Sequence, residues 1–92
     1  ICIGASTYSN AKMNLNFAAK DASDVLNLFQ LHKDQYKSIK STLLTNQEVT
    51  RERIMALKEE LKLTHVNDQV ILFIAGHGVL DQHLDYYLAT YD

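Results

Sequence analysis

The sequence predicts an α/β fold, a mainly parallel β-sheet between helices in a three-layer α/β/α arrangement. Three short apolar runs, which are typical of buried strands, occur along the 92-residue chain. Between them lie two segments whose apolar residues recur every three or four positions, as in amphipathic helices. Strands that alternate with such helices form right-handed βαβ crossovers and hence a parallel sheet with helices on both faces.

The first strand is predicted over residues 1–4, and the polar stretch over residues 5–16 is predicted to be a loop. A helix is predicted over residues 17–32, with Asn14 or Asn16 as its N-cap. The residues of its apolar face are Ala22, Val25, Leu26 and Phe29. Asp21 near its start and Lys33 near its end suit the helix dipole.

A second strand is predicted over residues 36–45, centred on residues 39–44. Thr50 is then the predicted N-cap of a second helix, over residues 51–63. Its apolar stripe consists of Ile54, Leu57 and Leu61. A short hairpin or strand is predicted near the end, with residues 79–81 and 86–89 on either side of a polar turn at Gln82 and His83.

The third apolar run, residues 70–75, leads directly into Gly76, His77 and Gly78. Its length predicts a strand buried on both faces, whereas a membrane span needs about 20 apolar residues. Ligands bind at the carboxyl ends of parallel strands, where flanking glycines allow close approach to the backbone. An imidazole, with an ordinary pKa of about 6.5, exchanges protons at neutral pH, so His77 is the candidate for chemistry.

Composition indicates one small globular domain, with 47% apolar and 22% charged residues. The net charge of −2 gives no indication of a nucleic-acid or membrane partner. The single cysteine, Cys2, excludes an internal disulfide and predicts a reducing, cytoplasmic location. Apolar runs at both ends of the sequence predict that it is a piece of a longer polypeptide.

Other groups favour structural interpretations. Cys2 lies in an apolar run, where cysteine behaves as a small hydrophobic residue. Asp81, His83 and Asp85 alternate, but an EF-hand loop requires glycine where Tyr86 stands, so a solvated turn is expected. His32 and His65 are expected at the surface. The stretch Gly4-Ala5-Ser6 is too short to predict a phosphate loop, and no metal or other cofactor is expected.

Taken in order, five segments resemble the large-subunit half of caspase-like cysteine peptidases of clan CD. They are ICIGASTY, LNFAAKDASDVLNLF, TLLTNQEVTRERI, VILFIAGHGVLD and LDYYLATYD. The resemblance is closer to the bacterial branch near metacaspases than to animal caspases. It covers essentially the whole chain, and its most specific part is the apolar strand that ends in GHG.

This resemblance implies an incomplete caspase–haemoglobinase fold, in which residues 1–92 are the N-terminal (p20-like) part of a single catalytic domain. It also implies hydrolysis of peptide bonds in peptide or protein substrates by a cysteine–histidine pair. His77 matches the family's catalytic histidine. Gly78 matches the glycine whose backbone N–H contributes to the oxyanion hole. Calcium dependence is left open.

Two departures from the family pattern bear on function. The nucleophilic cysteine of the family lies roughly 50 residues after the histidine. This sequence ends 15 residues after His77, so the remaining C-terminal part of the domain would carry the nucleophile, and the 92 residues alone are expected to be inactive. Animal caspases also have an arginine before the first helix, where this sequence has Asn14-Leu15-Asn16, so aspartate specificity is doubtful.

Two other functional classes stay open. One is an inactive caspase-like module that serves as an adaptor or assembly domain. The other is a doubly wound receiver-type or nucleotide-binding domain, which would require an acidic pair or a phosphate loop after the first strand.

Overall fold

The computed structural model describes residues 1–92, and its central element is a three-stranded parallel sheet in the order β2-β1-β3. The three strands are β1 (Cys2–Gly4), β2 (Leu43–Thr45) and β3 (Phe73–Ala75). The two helices that connect them are α1 (Ala18–Leu31) and α2 (Arg51–Leu61). A separate antiparallel pair follows, formed by β4 (Gly78–Leu80) and β5 (Tyr86–Leu88). The predicted α/β class, the alternation of strands and helices and the C-terminal hairpin are confirmed.

The two helices pack against opposite faces of the sheet. Ile3 of β1 lies in a buried cluster with Leu44 of β2 and Leu57 of α2. Side chains alternate along a strand, so the neighbouring Gly4 faces the other side. There its backbone lies against the first turns of α1, next to Ala18 and Ala22. One helix thus covers each face of the central strand, as expected for strands joined by crossover helices.

The third strand is shorter and more exposed than the sequence predicts. Only Phe73–Ala75 pairs as a strand with β1, and four apolar side chains of this run are exposed: Val70, Ile71, Leu72 and Ile74. The prediction of a strand buried on both faces is therefore wrong. The reason is topological, because β3 stands at the edge of the sheet with only β1 beside it.

The second strand is also shorter than predicted. Residues 36–42 form no strand, and Lys33–Gln35 is a turn of 3-10 helix. The register explains this difference, because Cys2 pairs with Leu43 and the Cys2 N–H bonds to the Thr42 carbonyl oxygen at 2.8 Å. Residues before Thr42 have no β1 residue opposite them with which to pair.

The N-terminal cap follows the prediction in α2 but not in α1, and α2 ends at Leu61, two residues before its predicted end. Thr50 caps α2 by accepting the Arg53 N–H at 3.2 Å. The predicted Asn14 and Asn16 caps of α1 are wrong, since the helix begins after Phe17, whose side chain makes no cap bond. Neither helix has the length and apolar character that crossing a membrane requires.

Gly4 should be sensitive to the smallest substitution. A Cβ atom there would overlap the Ala18 carbonyl oxygen and would lie 2.7 Å from the Ala22 Cβ. Because backbone atoms of α1 cannot move aside without shifting the helix, we expect Gly4→Ala to lower the free energy of unfolding by roughly 1–3 kcal/mol. Urea denaturation measures this change.

The matched control is Gly78→Ala. The three atoms nearest to its new Cβ all belong to the ring of Tyr86, which is 75% exposed and can move aside. Its cost in unfolding free energy should stay below about 1 kcal/mol. Equal urea midpoints for Gly4→Ala and the parent chain would show that α1 does not press on β1 as described.

Candidate active site

His77 lies just beyond the carboxyl end of β3 and is half-buried. The segments that follow β1 and β2 leave the sheet at the same edge, because the three strands are parallel and in register. This is the position predicted from the apolar strand and its flanking glycines. Hydrogen bonds to its ring, its backbone N–H and its carbonyl oxygen hold the residue there.

The ring of His77 is oriented by a main-chain carbonyl group. Its Nε2 atom lies 2.8 Å from the carbonyl oxygen of Met13. A carbonyl oxygen can only accept a hydrogen bond, so Nε2 carries the proton and donates it. The lone pair of the neutral imidazole is then on Nδ1. Nδ1 is therefore the atom that can take up and return a proton.

The backbone of His77 is fixed by Tyr8. The His77 N–H donates to the Tyr8 hydroxyl oxygen at 2.8 Å, and the two rings lie 5.4 Å apart at an angle of 48°. Tyr8 and Met13 both belong to the segment between β1 and α1. Residues 6–15 of this segment are called the histidine loop below, because they supply the contacts to the His77 ring and to its N–H.

Hydrogen bonds within the histidine loop fix its shape. The Tyr8 N–H donates to the Asn14 side-chain oxygen at 2.8 Å, and the Leu15 N–H donates to the Ser6 carbonyl oxygen at 2.7 Å. The Ser6 hydroxyl accepts the Ala19 N–H at 2.8 Å, which satisfies a donor in the first turn of α1. The loop is thereby closed on itself and attached to the helix.

Asn46 attaches the start of the histidine loop to the end of β2. Its side-chain oxygen accepts the N–H groups of both Ser6 and Thr7 at 3.0 Å. Its own backbone has φ of +51°, a left-handed conformation that asparagine tolerates better than most residues. A phosphate bound after β1 would need the N–H groups of Ser6 and Thr7 as donors. The Asn46 side-chain oxygen already accepts both of them. This geometry disfavours the nucleotide-binding alternative.

The N–H of Gly78 points away from the β4–β5 hairpin. Gly78 stands opposite Leu88, and the preceding pair is hydrogen-bonded, with the Ala89 N–H donating to the His77 carbonyl oxygen at 2.9 Å. Hydrogen-bonded and non-bonded pairs alternate in an antiparallel ladder. Gly78 and Leu88 therefore form a non-hydrogen-bonded pair. The Gly78 N–H points away from β5 and lies next to His77 in the chain.

The turn of the hairpin is organised by Asp81, as the prediction of a polar turn requires. One carboxylate oxygen accepts the N–H groups of Asp85 at 3.0 Å and His83 at 2.8 Å, and the other accepts the Tyr87 hydroxyl at 3.2 Å. These bonds, that from Asp85 above all, hold the pKa of Asp81 below its ordinary 3.8, against a smaller opposing effect of burial.

The remaining candidates from the sequence lie apart from His77 or are buried. Cys2 is 4% exposed and lies in the central strand, which agrees with its interpretation as a small hydrophobic residue. His32 and His65 are exposed, as expected. No group of three or more His, Cys, Asp or Glu side chains is arranged to hold a metal ion.

Tyr8 and the Met13 carbonyl group were not among the site residues predicted from the sequence. A main-chain acceptor carries no residue signature, so the role of Met13 could not be found from the sequence. Tyr8 gave a weak signal, as the one aromatic residue in a loop otherwise rich in Ser, Thr and Asn. Its burial to 5% exposure is unusual for a loop.

Comparisons of the chain with protein-family models, with curated proteins and with solved structures find no match. The resemblance to caspase-like peptidases therefore depends on the five sequence segments alone.

Substitutions at Asn46 should separate its two contributions to the histidine loop. Asn46→Ala removes the acceptor of two N–H groups and places alanine, which tolerates the left-handed region less well than asparagine, at this position. We expect it to lower the unfolding free energy by about 2–4 kcal/mol. Asn46→Gly loses only the acceptor and should cost about 1 kcal/mol less. Equal stability of the parent chain and both variants in urea would contradict the assigned bonds.

The hairpin should weaken in acid because of Asp81. A carboxylate whose folded pKa is lowered stabilises the fold at pH above its unfolded pKa, near 3.8, and loses this contribution as the pH falls through the folded value. We expect the amide signals of His83 and Asp85 to shift together in NMR spectra below about pH 4. Asp81→Asn should abolish this transition, whereas Asp85→Asn should retain it.

Proposed function

We propose that this chain is the histidine-bearing part of a caspase-like cysteine endopeptidase, with His77 as general acid and base. The main support is the arrangement of the imidazole, in which Nε2 donates to the Met13 carbonyl oxygen and Nδ1 is left for proton transfer. A base that is oriented by a third group is a recurring feature of nucleophilic catalysis. Here the orienting group is the backbone carbonyl of Met13.

The proposed reaction is hydrolysis of a peptide bond through a thioester. A thiolate attacks the scissile carbonyl carbon, and the imidazolium of His77 gives its Nδ1 proton to the leaving amine as the C–N bond breaks. Water then attacks the thioester, the imidazole accepts a proton from it, and the thiolate leaves. The outward N–H of Gly78 is suited to stabilise the oxyanion that forms in both steps.

The nucleophile in this proposal is not Cys2. Its side chain is 4% exposed, and its strand is paired with a neighbour on each side. A thiol in that position cannot reach a substrate without disruption of the sheet. Following the family resemblance, we place the nucleophilic cysteine outside these 92 residues, in the remaining C-terminal part of the catalytic domain.

The exposed edge of the sheet supports association with that remaining part. β3 pairs with β1 on one side only, and apolar side chains of its run are exposed. An uncovered edge strand of this kind is a template for another strand. A further strand that is parallel to β3 would bring its own carboxyl end next to His77.

The residues before the first helix argue against a preference for aspartate before the scissile bond. The stretch Asn14-Leu15-Asn16 stands where animal caspases carry their arginine, and the Asn14 side-chain oxygen already accepts the Tyr8 N–H. Recognition of a substrate aspartate is therefore not proposed. Peptides with Arg or Lys before the scissile bond are the first substrates to test, because the bacterial relatives that the chain resembles commonly prefer them.

An inactive adaptor or assembly module is the second candidate function. The same exposed edge of β3 favours it, since strand addition mediates assembly as well as domain completion. The identity of the residue after the next apolar strand of the parent polypeptide separates the two functions. A cysteine there supports the peptidase, and another residue supports the adaptor.

The decisive experiment compares His77→Ala with the unaltered polypeptide that carries these 92 residues and the following part of the domain. Turnover of fluorogenic peptides with Arg, Lys or Asp before the cleaved bond should fall by about 10²–10⁴-fold or more, with little change in KM. The control is His83→Ala, which alters an exposed histidine in the hairpin turn. Its turnover should stay normal.

Two outcomes would exclude the proposal. One is near-normal turnover of His77→Ala when circular dichroism shows an intact fold. The other is peptide hydrolysis by residues 1–92 alone that persists in Cys2→Ala.

A further inference from the structure

Tyr8 connects the histidine loop to a residue 69 positions later in the chain. Its side chain is 5% exposed and belongs to the main hydrophobic cluster, together with Ile3 and Leu44. The hydroxyl group, in contrast, is directed at the strand end, where it accepts the His77 N–H at 2.8 Å. The ring therefore has a packing role, and the hydroxyl has a separate role at His77.

The space around the hydroxyl is closely shaped. A Cβ atom on Gly76 would lie 2.9 Å from the Tyr8 hydroxyl oxygen, inside normal contact distance. Because Gly76 has no side chain, the Tyr8 hydroxyl has space to accept the N–H of His77. This contact gives a physical reason for the glycine before the histidine that is independent of any substrate.

We propose that Tyr8 is a positioning residue for His77. The hydroxyl fixes the peptide group from which the imidazole side chain departs, and the tyrosine ring limits its rotation from one side. Met13, five residues later in the same loop, holds Nε2. Both contacts together keep Nδ1 directed away from the loop. The consequence for turnover rests on the function proposed above, whereas the positioning of the ring does not.

The substitution Tyr8→Phe separates positioning from packing. Phenylalanine keeps the ring in the core and removes only the oxygen that accepts the His77 N–H. Tyr36→Phe is the matched control, because it removes a hydroxyl group from an exposed tyrosine that packs against Phe29, away from the site. Urea midpoints of both variants show whether the fold is retained.

The first measurement uses NMR on the full 92-residue chain and needs no activity. In Tyr8→Phe we expect the His77 amide proton to exchange with solvent about tenfold faster, which corresponds to the loss of one hydrogen bond. The ring nitrogen shifts should also move from a single Nε2–H tautomer toward a mixture. Tyr36→Phe should change neither. Unaltered exchange and an unaltered tautomer in Tyr8→Phe would overturn the proposal.

The second measurement uses the longer, peptidase-competent polypeptide. Tyr8→Phe should lower kcat by about tenfold at unchanged KM, because only the orientation of the proton-transfer group is affected. Normal kcat in Tyr8→Phe would overturn the consequence of this positioning for turnover. Absence of hydrolysis in the unaltered polypeptide, with the NMR changes present, would retain the positioning role and reject the peptidase.

Discussion

The rest of the structure depends on the pairing of β1 with a strand on each side. Gly4 stands opposite Thr45 of β2 and Ala75 of β3, so the three strands end at one level. The segments that follow them therefore emerge at one edge of the sheet. This alignment brings the histidine loop, Asn46 and His77 together although they are far apart in the sequence.

The site at that edge is assembled from neutral hydrogen bonds rather than from ion pairs. The contacts are made by the side-chain amide of Asn46, the hydroxyl of Tyr8 and the backbone carbonyl of Met13. The two salt bridges, Lys20–Asp24 and Lys62–Glu59, join exposed neighbours in or at the end of a helix. Exposed pairs of this type contribute little to stability, so the arrangement around His77 should change little with salt concentration.

Local patterns in the sequence were sufficient for the order of elements and for the position of His77. The helices follow from three- and four-residue periodicity, the Thr50 cap from residue type, and the hairpin from its polar turn. Burial of β3 could not be predicted in this way, because an apolar run has the same pattern in a central strand and in an edge strand. The Asn46 and Tyr8 bonds span about 40 and 69 residues, beyond the reach of local rules.

The separation between Tyr8 and His77 also has a consequence for folding kinetics. Contacts between β1, α1 and β2 close shorter segments of chain than the contacts of β3 with β1, and loop closure costs more entropy as the separation grows. The edge strand should therefore dock after the β1–α1–β2 unit has formed. The surroundings of His77 would then be completed late, and a partly folded chain would hold the imidazole without its orienting groups.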